Sequence, residues 1–261
     1  MNTEKAMLST TAAMQYPTAA APAAEVLISV VIPCLNEVRT VGRCVATALA
    51  ALRERGLPAE VLVADNGSSD GSPEAARDAG ARVVPVREAG YGNALRGGIA
   101  AARGNYIVIG DADDTYDFSQ VGGLLDVLER GYDLVVGNRF HGGIAPGAMP
   151  WMHRRIGTPF LTRLLALLHG SPLGDSQCGL RAFRKDAYES WGLTSSGMEF
   201  ASEMIARACR CGARLAEAPA TLSPNPQGRT PHLRPFRDGW RHLRLILGLW
   251  WQGRLSRRKK L

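Results

Sequence analysis

Apolar and polar positions follow two rhythms along this chain, and the change between them falls near residue 139. In the first half, short apolar runs rich in β-branched residues predict strands at Val26–Ile32, Glu60–Ala64, Arg82–Val86, Tyr106–Ile109 and Asp133–Val136. Stretches of helical period between them predict helices near Val38–Arg55, Pro73–Ala79, Gly92–Arg103 and Ser119–Arg130. The strand runs are apolar throughout rather than alternating, which suits a parallel sheet covered on both faces. The regular strand–helix order predicts an α/β fold: an open, doubly wound, mostly parallel sheet with helices on both faces. Such sheets bind ligands beyond the carboxyl ends of their strands.

Beyond Arg139 the rhythm breaks. His141–Arg155 is rich in Gly, Pro and Met and predicts a mobile loop. Thr158-Pro159 predicts a helix start, with Thr as cap and Pro in the first turn, and that helix carries Phe160, Leu161, Leu164, Leu165 and Leu168. Further helices are predicted near Lys185–Trp191 and Phe200–Cys211, a strand at Ala213–Ala218, a Pro-rich loop from Pro219 to Pro235, and a last helix at Phe236–Gln252.

Composition excludes several classes. The 261 residues are 46% apolar and 21% charged, ordinary for a globular protein with a sizeable core. No run of 18 apolar residues offers a membrane span. Residues 1–25, rich in Ala, Thr, Ser and Pro, read as a disordered leader rather than a signal peptide. The five cysteines (Cys34, Cys44, Cys178, Cys209 and Cys211) are odd in number, and Cys209-x-Cys211 has no second pair to complete a zinc site. They read as reduced thiols, which points to the cytosol.

The charge is uneven. Of 31 Lys and Arg and 24 acids, nine and one fall between Thr230 and Leu261, leaving 22 and 23 in the body. The net charge of +7 therefore belongs to the tail. Phe236, Trp240, Leu243, Leu247 and Trp250 recur there at helical spacing, beside Arg237, Arg241 and Arg244 and ahead of Arg257-Arg-Lys-Lys260. Such a helix either lies on an anionic membrane surface or packs its apolar face on the core. The helix near Phe160–Leu168 likewise either guides an apolar chain or fills core. No nucleic-acid reading module accompanies the basic residues.

The candidate chemistry sits at strand ends. Ile109-Gly-Asp-Ala-Asp-Asp-Thr-Tyr-Asp117 puts four carboxylates in nine residues. In an extended segment Asp111 and Asp113 share one face and Asp114 points away. Two such oxygens suit Mg²⁺ or Mn²⁺, which keep positions open for substrate phosphates. The first strand ends in Pro33-Cys-Leu-Asn-Glu37, where Asn36 and Glu37 offer groups for a ribose or base. The second ends in Asp65-Asn-Gly-Ser-Ser-Asp70, a tight turn suited to a nucleoside. Gly90-Tyr-Gly-Asn-Ala, with Gly92, opens a helix whose free amides favour anions. The Gly90-x-Gly92 pair lacks the third glycine of a dinucleotide fingerprint. Glu199 and Glu203, four apart on a predicted helix, either face the site or pair with Arg207. Arg229, in Gln227-Gly-Arg-Thr-Pro231, is either a clamp over diphosphate or an ordinary loop residue.

Val31-Ile-Pro-Cys-Leu-Asn-Glu37, Asp65-Asn-Gly-Ser-Ser-Asp70 and Asp111-Ala-Asp113 together resemble the three signatures of inverting family-2 glycosyltransferases of the GT-A fold. Val136-Gly-Asn-Arg139-Phe and Asp175-Ser-Gln-Cys-Gly-Leu-Arg181-Ala-Phe resemble more specifically the dolichyl- or polyprenyl-phosphate sugar synthases. The resemblance runs from about Ile28 to Leu247. It implies a nucleotide-sugar half at 26–139 and an acceptor half at 140–235, ahead of the amphipathic helix and basic tail that spacing and charge place at 236–261. It implies that Pro33, Asn36, Glu37 and Asp65 hold the nucleotide, that Asp111 and Asp113 bind its diphosphate through Mg²⁺ or Mn²⁺, and that Arg139 and Arg181 lie near the phosphate of a lipid acceptor. The chain departs from the mannosyl synthases at Thr115, where a Gln is expected, and it shows no long carboxy-terminal membrane spans of the kind some relatives carry.

The expected reaction moves a hexose from a UDP- or GDP-sugar to a polyprenyl phosphate, at the cytoplasmic face of a membrane. A divalent ion would offset the charge growing on the leaving diphosphate. A lipid phosphate, with a second pKa of about 6, needs no general base, only cations such as the planar Arg fork. A hydroxyl acceptor would need a base, and Asp175 is then the candidate. The alternative for Arg139 and Arg181 is a structural ion pair with a nearby acid.

Overall fold

The computed structural model describes residues 27–226 and 235–258. The leader, Arg229 and the end of the basic tail lie outside them. Seven strands form one sheet in the order β3-β2-β1-β4-β6-β5-β7. In chain order they are β1 Ile28–Cys34, β2 Ala59–Asp65, β3 Arg82–Pro85, β4 Tyr106–Ile109, β5 Leu134–Asn138, β6 Arg181–Arg184 and β7 Leu215–Pro219. The helices are α1 Val41–Glu54, α2 Ser72–Asp78, α3 Tyr91–Ala101, α4 Val121–Leu128, α5 Arg139–Gly142, α6 Thr158–His169, α7 Lys185–Trp191, α8 Phe200–Arg210 and α9 Pro235–Arg258.

All seven residues of β1 are buried, as expected of a run flanked by strands and covered by helices. The chain winds outward through β2 and β3, then returns to set β4 on the other side of β1. That reversal is the switch point where open α/β sheets form a crevice. Pairing of β1 with β4 ends at Val31–Ile109, whereas pairing with β2 continues to Cys34–Asp65. Pro33 therefore lies where β1 has already lost one neighbour, and its missing N–H is tolerated there.

Three local expectations need correction. The first is β6, which the sequence reading omitted. It runs antiparallel between β4 and β5, with Arg181 opposite both Ile109 and Val136. The reversal brings residues 175–181 to the carboxyl ends of the parallel strands. Next, the helix expected from Ser119 opens as a single 3₁₀ turn at Phe118–Gln120, capped by Asp117 accepting from the Ser119 N–H at 2.9 Å, before α4 begins. Lastly, the expected loop at 141–155 carries helical turns, including a wide π turn at His153–Gly157 that runs directly into α6. Thr158 is thus the first residue of α6 rather than its cap, because helical backbone already precedes it.

α9 packs against α6 and α8. Its buried stripe is Asp238, His242, Ile246 and Leu249, spaced three to four apart. Trp240, Leu247, Trp251 and Leu255 form a different, exposed stripe. Of the apolar face expected from the sequence, Trp240 and Leu247 point outward and Leu243 and Trp250 are half-buried. One side of the helix thus packs on the core, and the other leaves large apolar side chains exposed.

Candidate active site

The strand β4 stops at Ile109, and Asp111–Asp114 lies in a turn rather than in extended chain. Strand alternation therefore does not align Asp111 with Asp113. The turn brings them into electrostatic contact instead. Burial, then Asp113, pushes the Asp111 carboxyl up to about 7. Tyr91 donates its hydroxyl to Asp111 Oδ1 at 2.9 Å. Asp113 Oδ1 accepts from both the N–H (3.1 Å) and the hydroxyl (2.7 Å) of Thr115, so the residue that departs from the resembled pattern fixes one of the two acids. Asp114, in the left-handed region at φ 60°, turns away to pair with Arg43.

Gly179 comes within reach of this pair because β6 is reversed. A Cβ at Gly179 would lie 2.7 Å from Asp111 Oδ2, and its N–H donates to the Tyr116 hydroxyl at 2.9 Å. Sequence reasoning missed Tyr91, Tyr116 and Gly179. The one available signal was Tyr91, inside the quoted Gly-Tyr-Gly.

The loops after β1 and β2 are knitted together. Asn36, at φ 58°, donates its N–H to Ser68 Oγ and accepts the Ser69 N–H, both at 2.9 Å. The buried Glu37 donates its N–H to Ser72 Oγ at 2.8 Å, and its Oε2 faces the Thr40 hydroxyl at 3.4 Å. Asp65 accepts from the Gly67 and Ser68 N–H groups at 3.2 and 3.3 Å, closing its own turn. Asn66 accepts the Gly90 N–H at 2.7 Å and donates to the Val86 and Glu88 carbonyls. These side chains are occupied in shaping the rim beside Pro33.

At Gly92 the expectation of free helix amides fails. The Gly92 and Asn93 N–H groups donate to the Ser196 carbonyl at 2.9 and 3.3 Å, so the loop Thr194–Gly197 covers the start of α3. Only glycine permits this approach. A Cβ at Gly92 would lie 2.3 Å from the Ser195 carbonyl oxygen, and one at Gly90 would lie 2.3 Å from that of Ser196.

Arg139 and Asp175 form a buried pair. Arg139 donates from Nε at 2.7 Å, Nη2 at 2.8 Å and its backbone N at 3.1 Å to the carboxylate of Asp175, which is fully buried. Glu217 holds Asp175 from behind, accepting the Gly174 and Asp175 N–H groups at 2.8 Å. This corrects the candidate role of Asp175 as a general base. Its oxygens are committed to a guanidinium and have no exposed edge to receive an acceptor proton. Arg139 keeps Nη1 for the Tyr116 hydroxyl at 3.5 Å, and its charge favours ionisation of Asp111.

Arg181, only 1% exposed, donates to the carbonyls of Cys178, Ser176 and Ala201 at 2.8–2.9 Å. The expected contact with an acceptor phosphate and the alternative ion pair both give way to these carbonyl bonds. Arg181 braces the loop that carries Gly179, and its charge reaches Asp111 only through space. Glu203 pairs with Arg207 at 2.7 Å, and Glu199 turns to Arg241 at 2.6 Å.

Among the described residues no group of three or more His, Cys, Asp or Glu forms a metal cage. Two carboxylates at Asp111 and Asp113 remain, one of them resisting ionisation beside the other. That set fits Mg²⁺ or Mn²⁺, which take one or two protein carboxylates and complete their shell with phosphate oxygens and water. Two cavities are found near the sheet end, and neither includes the pair. One, of about 590 Å³, lies between α3 and α7, and another, of about 390 Å³, is lined by Arg43, Asp114 and Tyr116.

Several large apolar side chains beyond Arg139 are exposed. Trp151, Met152, Ile156, Phe160 and Leu167 are exposed along the π turn and α6, the helix that packs against α9. No helix among the described residues is long and apolar enough to cross a membrane.

The model of the family described as Glycosyl transferase family 2 matches residues 29–192. The chain is 41% identical over 221 residues to the low-salt glycan biosynthesis hexosyltransferase Agl6 of Haloferax volcanii, covering 84% of this chain but 53% of that one. It is 32% identical over 212 residues to the dolichyl-phosphate hexose transferase of the same organism, covering 81% of this chain and 89% of that one. Among solved structures, glucosyl-3-phosphoglycerate synthase from Mycobacterium tuberculosis, in complex with Mn²⁺, UDP and glucosyl-3-phosphoglycerate, superposes with a TM-score of 0.64 at 23% identity, over 85% and 79% of the two chains. At that identity the likeness speaks for the GT-A fold.

Proposed function

Because the chain belongs to glycosyl transferase family 2, we propose that it transfers a hexose with inversion from a UDP- or GDP-sugar to a polyprenyl phosphate, at the cytoplasmic face of a membrane. The observation that carries this reading is the Asp111–Asp113 pair at the switch point, whose mutual repulsion a divalent ion bridging to a diphosphate would relieve. When bound, that ion would supply Lewis acidity to the leaving diphosphate.

The chain's own residues divide the remaining work. Tyr91 and Thr115 orient the two acids. Pro33, Asn36, Glu37 and Asp65 shape the rim that receives the nucleoside. Gly92 allows the roof over α3 to close. Arg139, held rigid by Asp175, turns a positive charge toward the reacting phosphates. Arg181 supports the loop beneath.

Two observations favour a phosphate acceptor over a hydroxyl. Asp175 is committed to Arg139 and unavailable as a base, whereas an ionised phosphate needs none. The exposed apolar residues of the π turn, α6 and α9, interleaved with Arg154, Arg155, Arg163 and Arg244, suit a lipid chain and an anionic surface. The relative named as a dolichyl-phosphate hexose transferase agrees with this choice.

The test is a panel of UDP- and GDP-hexoses incubated with Mn²⁺ and a short polyprenyl phosphate. One donor should yield a glycosyl phospholipid. Transfer to a hydroxyl acceptor, with none to the polyprenyl phosphate, would overturn the acceptor assignment.

A further inference from the structure

α9 is joined to the Asp111 carboxylate by an unbroken series of contacts, although it contributes no residue to the site. Arg241 Nη2 donates to Glu199 Oε1 at 2.6 Å and approaches Ser196 Oγ at 3.5 Å. Glu199 is buried, and besides Arg241 its carboxylate accepts the Gly197 N–H at 3.3 Å. Its Oε2 has no hydrogen-bond partner among the described residues. The ion pair rests directly on the loop: a Cβ at Gly197 would lie 2.8 Å from both Arg241 Nη1 and Glu199 Oε2. The other end of the loop is tied to α8, where Glu203 accepts from the Thr194 and Ser195 N–H groups at 3.0 and 2.7 Å.

So braced, the loop turns the Ser196 carbonyl onto the Gly92 and Asn93 N–H groups and fixes the first turn of α3. The next side chain in that turn is Tyr91, whose hydroxyl holds Asp111 Oδ1. Each step has little slack, because the two glycines admit the carbonyls at distances no side chain would allow.

We propose that Arg241 is a positioning residue, by which α9 sets the Tyr91–Asp111 contact through Glu199 and the loop Thr194–Gly197. This rests on the reading above only in taking Asp111 as a donor-site ligand. The contact series makes seating of α9, the helix that carries the exposed Trp240, Leu247 and Trp251, a condition for an ordered donor site. A chain of packed contacts earns the description only if its ends are energetically coupled.

The test uses the full chain. Amide hydrogen exchange is followed in the metal-free protein for wild type, Arg241→Met and Tyr91→Phe, and binding of UDP and GDP with Mn²⁺ is measured by calorimetry. Arg241→Met should speed exchange across residues 92–97. It should also weaken nucleotide–Mn²⁺ binding by about twofold to thirtyfold, the span of measured coupling residues. Arg241→Lys, which keeps the charge, should recover part of both. Tyr91→Phe should weaken binding without speeding exchange at residues 194–199, and the double variant should bind no worse than the weaker single one. Unchanged exchange at 92–97 in Arg241→Met, or losses that add in the double variant, would overturn the proposal. If Arg241→Met does not fold, Glu199→Gln removes the same ion pair and is read in the same way. A wild type that binds neither nucleotide would refute the enzymatic reading instead, and the exchange data would still decide the coupling.

Discussion

Replacing Asp175 by Asn separates a structural acid from a catalytic one. Asn keeps the volume and one acceptor oxygen, so the bond from the Arg139 backbone N–H survives. The charge opposite the guanidinium, whose side chain is 9% exposed, does not. Breaking a buried ion pair on one side costs about 3–5 kcal/mol, because the remaining charge is left in low dielectric. That is a large part of the 5–15 kcal/mol that typically separates folded from unfolded domains. With roughly 2–4 °C of melting temperature per kcal/mol in a domain of this size, even the lower figure predicts a fall of about 6–12 °C. Arg139→Met should fall comparably, since it strands Asp175. The double change Arg139→Met with Asp175→Leu, which removes both charges, should regain most of the loss. Circular-dichroism melts of the four proteins read this directly. Were Asp175→Asn to melt within about 1 °C of wild type yet lose transfer, the buried-pair account would be wrong and the base role would return.

Other consequences are as easily checked. His242, on the buried face of α9, has Nδ1 2.7 Å from Ser202 Oγ, and burial lowers its pKa from 6.5 to about 4. The unfolded chain therefore takes up this proton first, so stability is full above pH 6.5 and falls as pH drops toward 4, by about 3 kcal/mol for the full shift. Urea unfolding at pH 7 and pH 4.5 should show this loss in wild type and a smaller one in His242→Asn. Gly92→Ala places a Cβ against three backbone atoms of the loop Ser195–Gly197. It should cost about 1–3 kcal/mol in urea unfolding and weaken nucleotide binding, and equal affinity would contradict the roof geometry. Replacing Trp240, Leu247 and Trp251 together by Ser should reduce co-sedimentation with anionic vesicles at least tenfold, by roughly 1 kcal/mol for each partly inserted side chain. Removing residues 254–261 should weaken it further at low salt. Equal pelleting of intact and altered proteins would exclude this surface from membrane contact.

Much of this arrangement is legible in the chain alone, where local pattern and tertiary role coincide. Tyr106–Ile109 is an apolar run stopped by Gly110, and its predicted and observed limits agree because nothing outside the segment determines them. The carboxylates behind it declare themselves by density alone. What stays hidden depends on partners distant in sequence. β6 is four residues with an Arg at each end, a poor strand by composition, stabilised by β4 and β5 on either side. Asp175 reads in the sequence as a candidate base, and only its enclosure by Arg139 and Glu217 commits its oxygens elsewhere. The amides at Gly92 look free until a loop one hundred residues later covers them.

In the proposed reaction Asp111 and Asp113 hold a divalent ion that grips a nucleoside diphosphate. Calorimetric titration of UDP and GDP, with and without Mn²⁺, into wild type and the Asp111→Ala/Asp113→Ala double variant tests this most directly. One nucleotide should bind per chain in wild type, only with the ion present, and none should bind to the double variant. Equally tight binding after chelation, or to the variant lacking both acids, would contradict it.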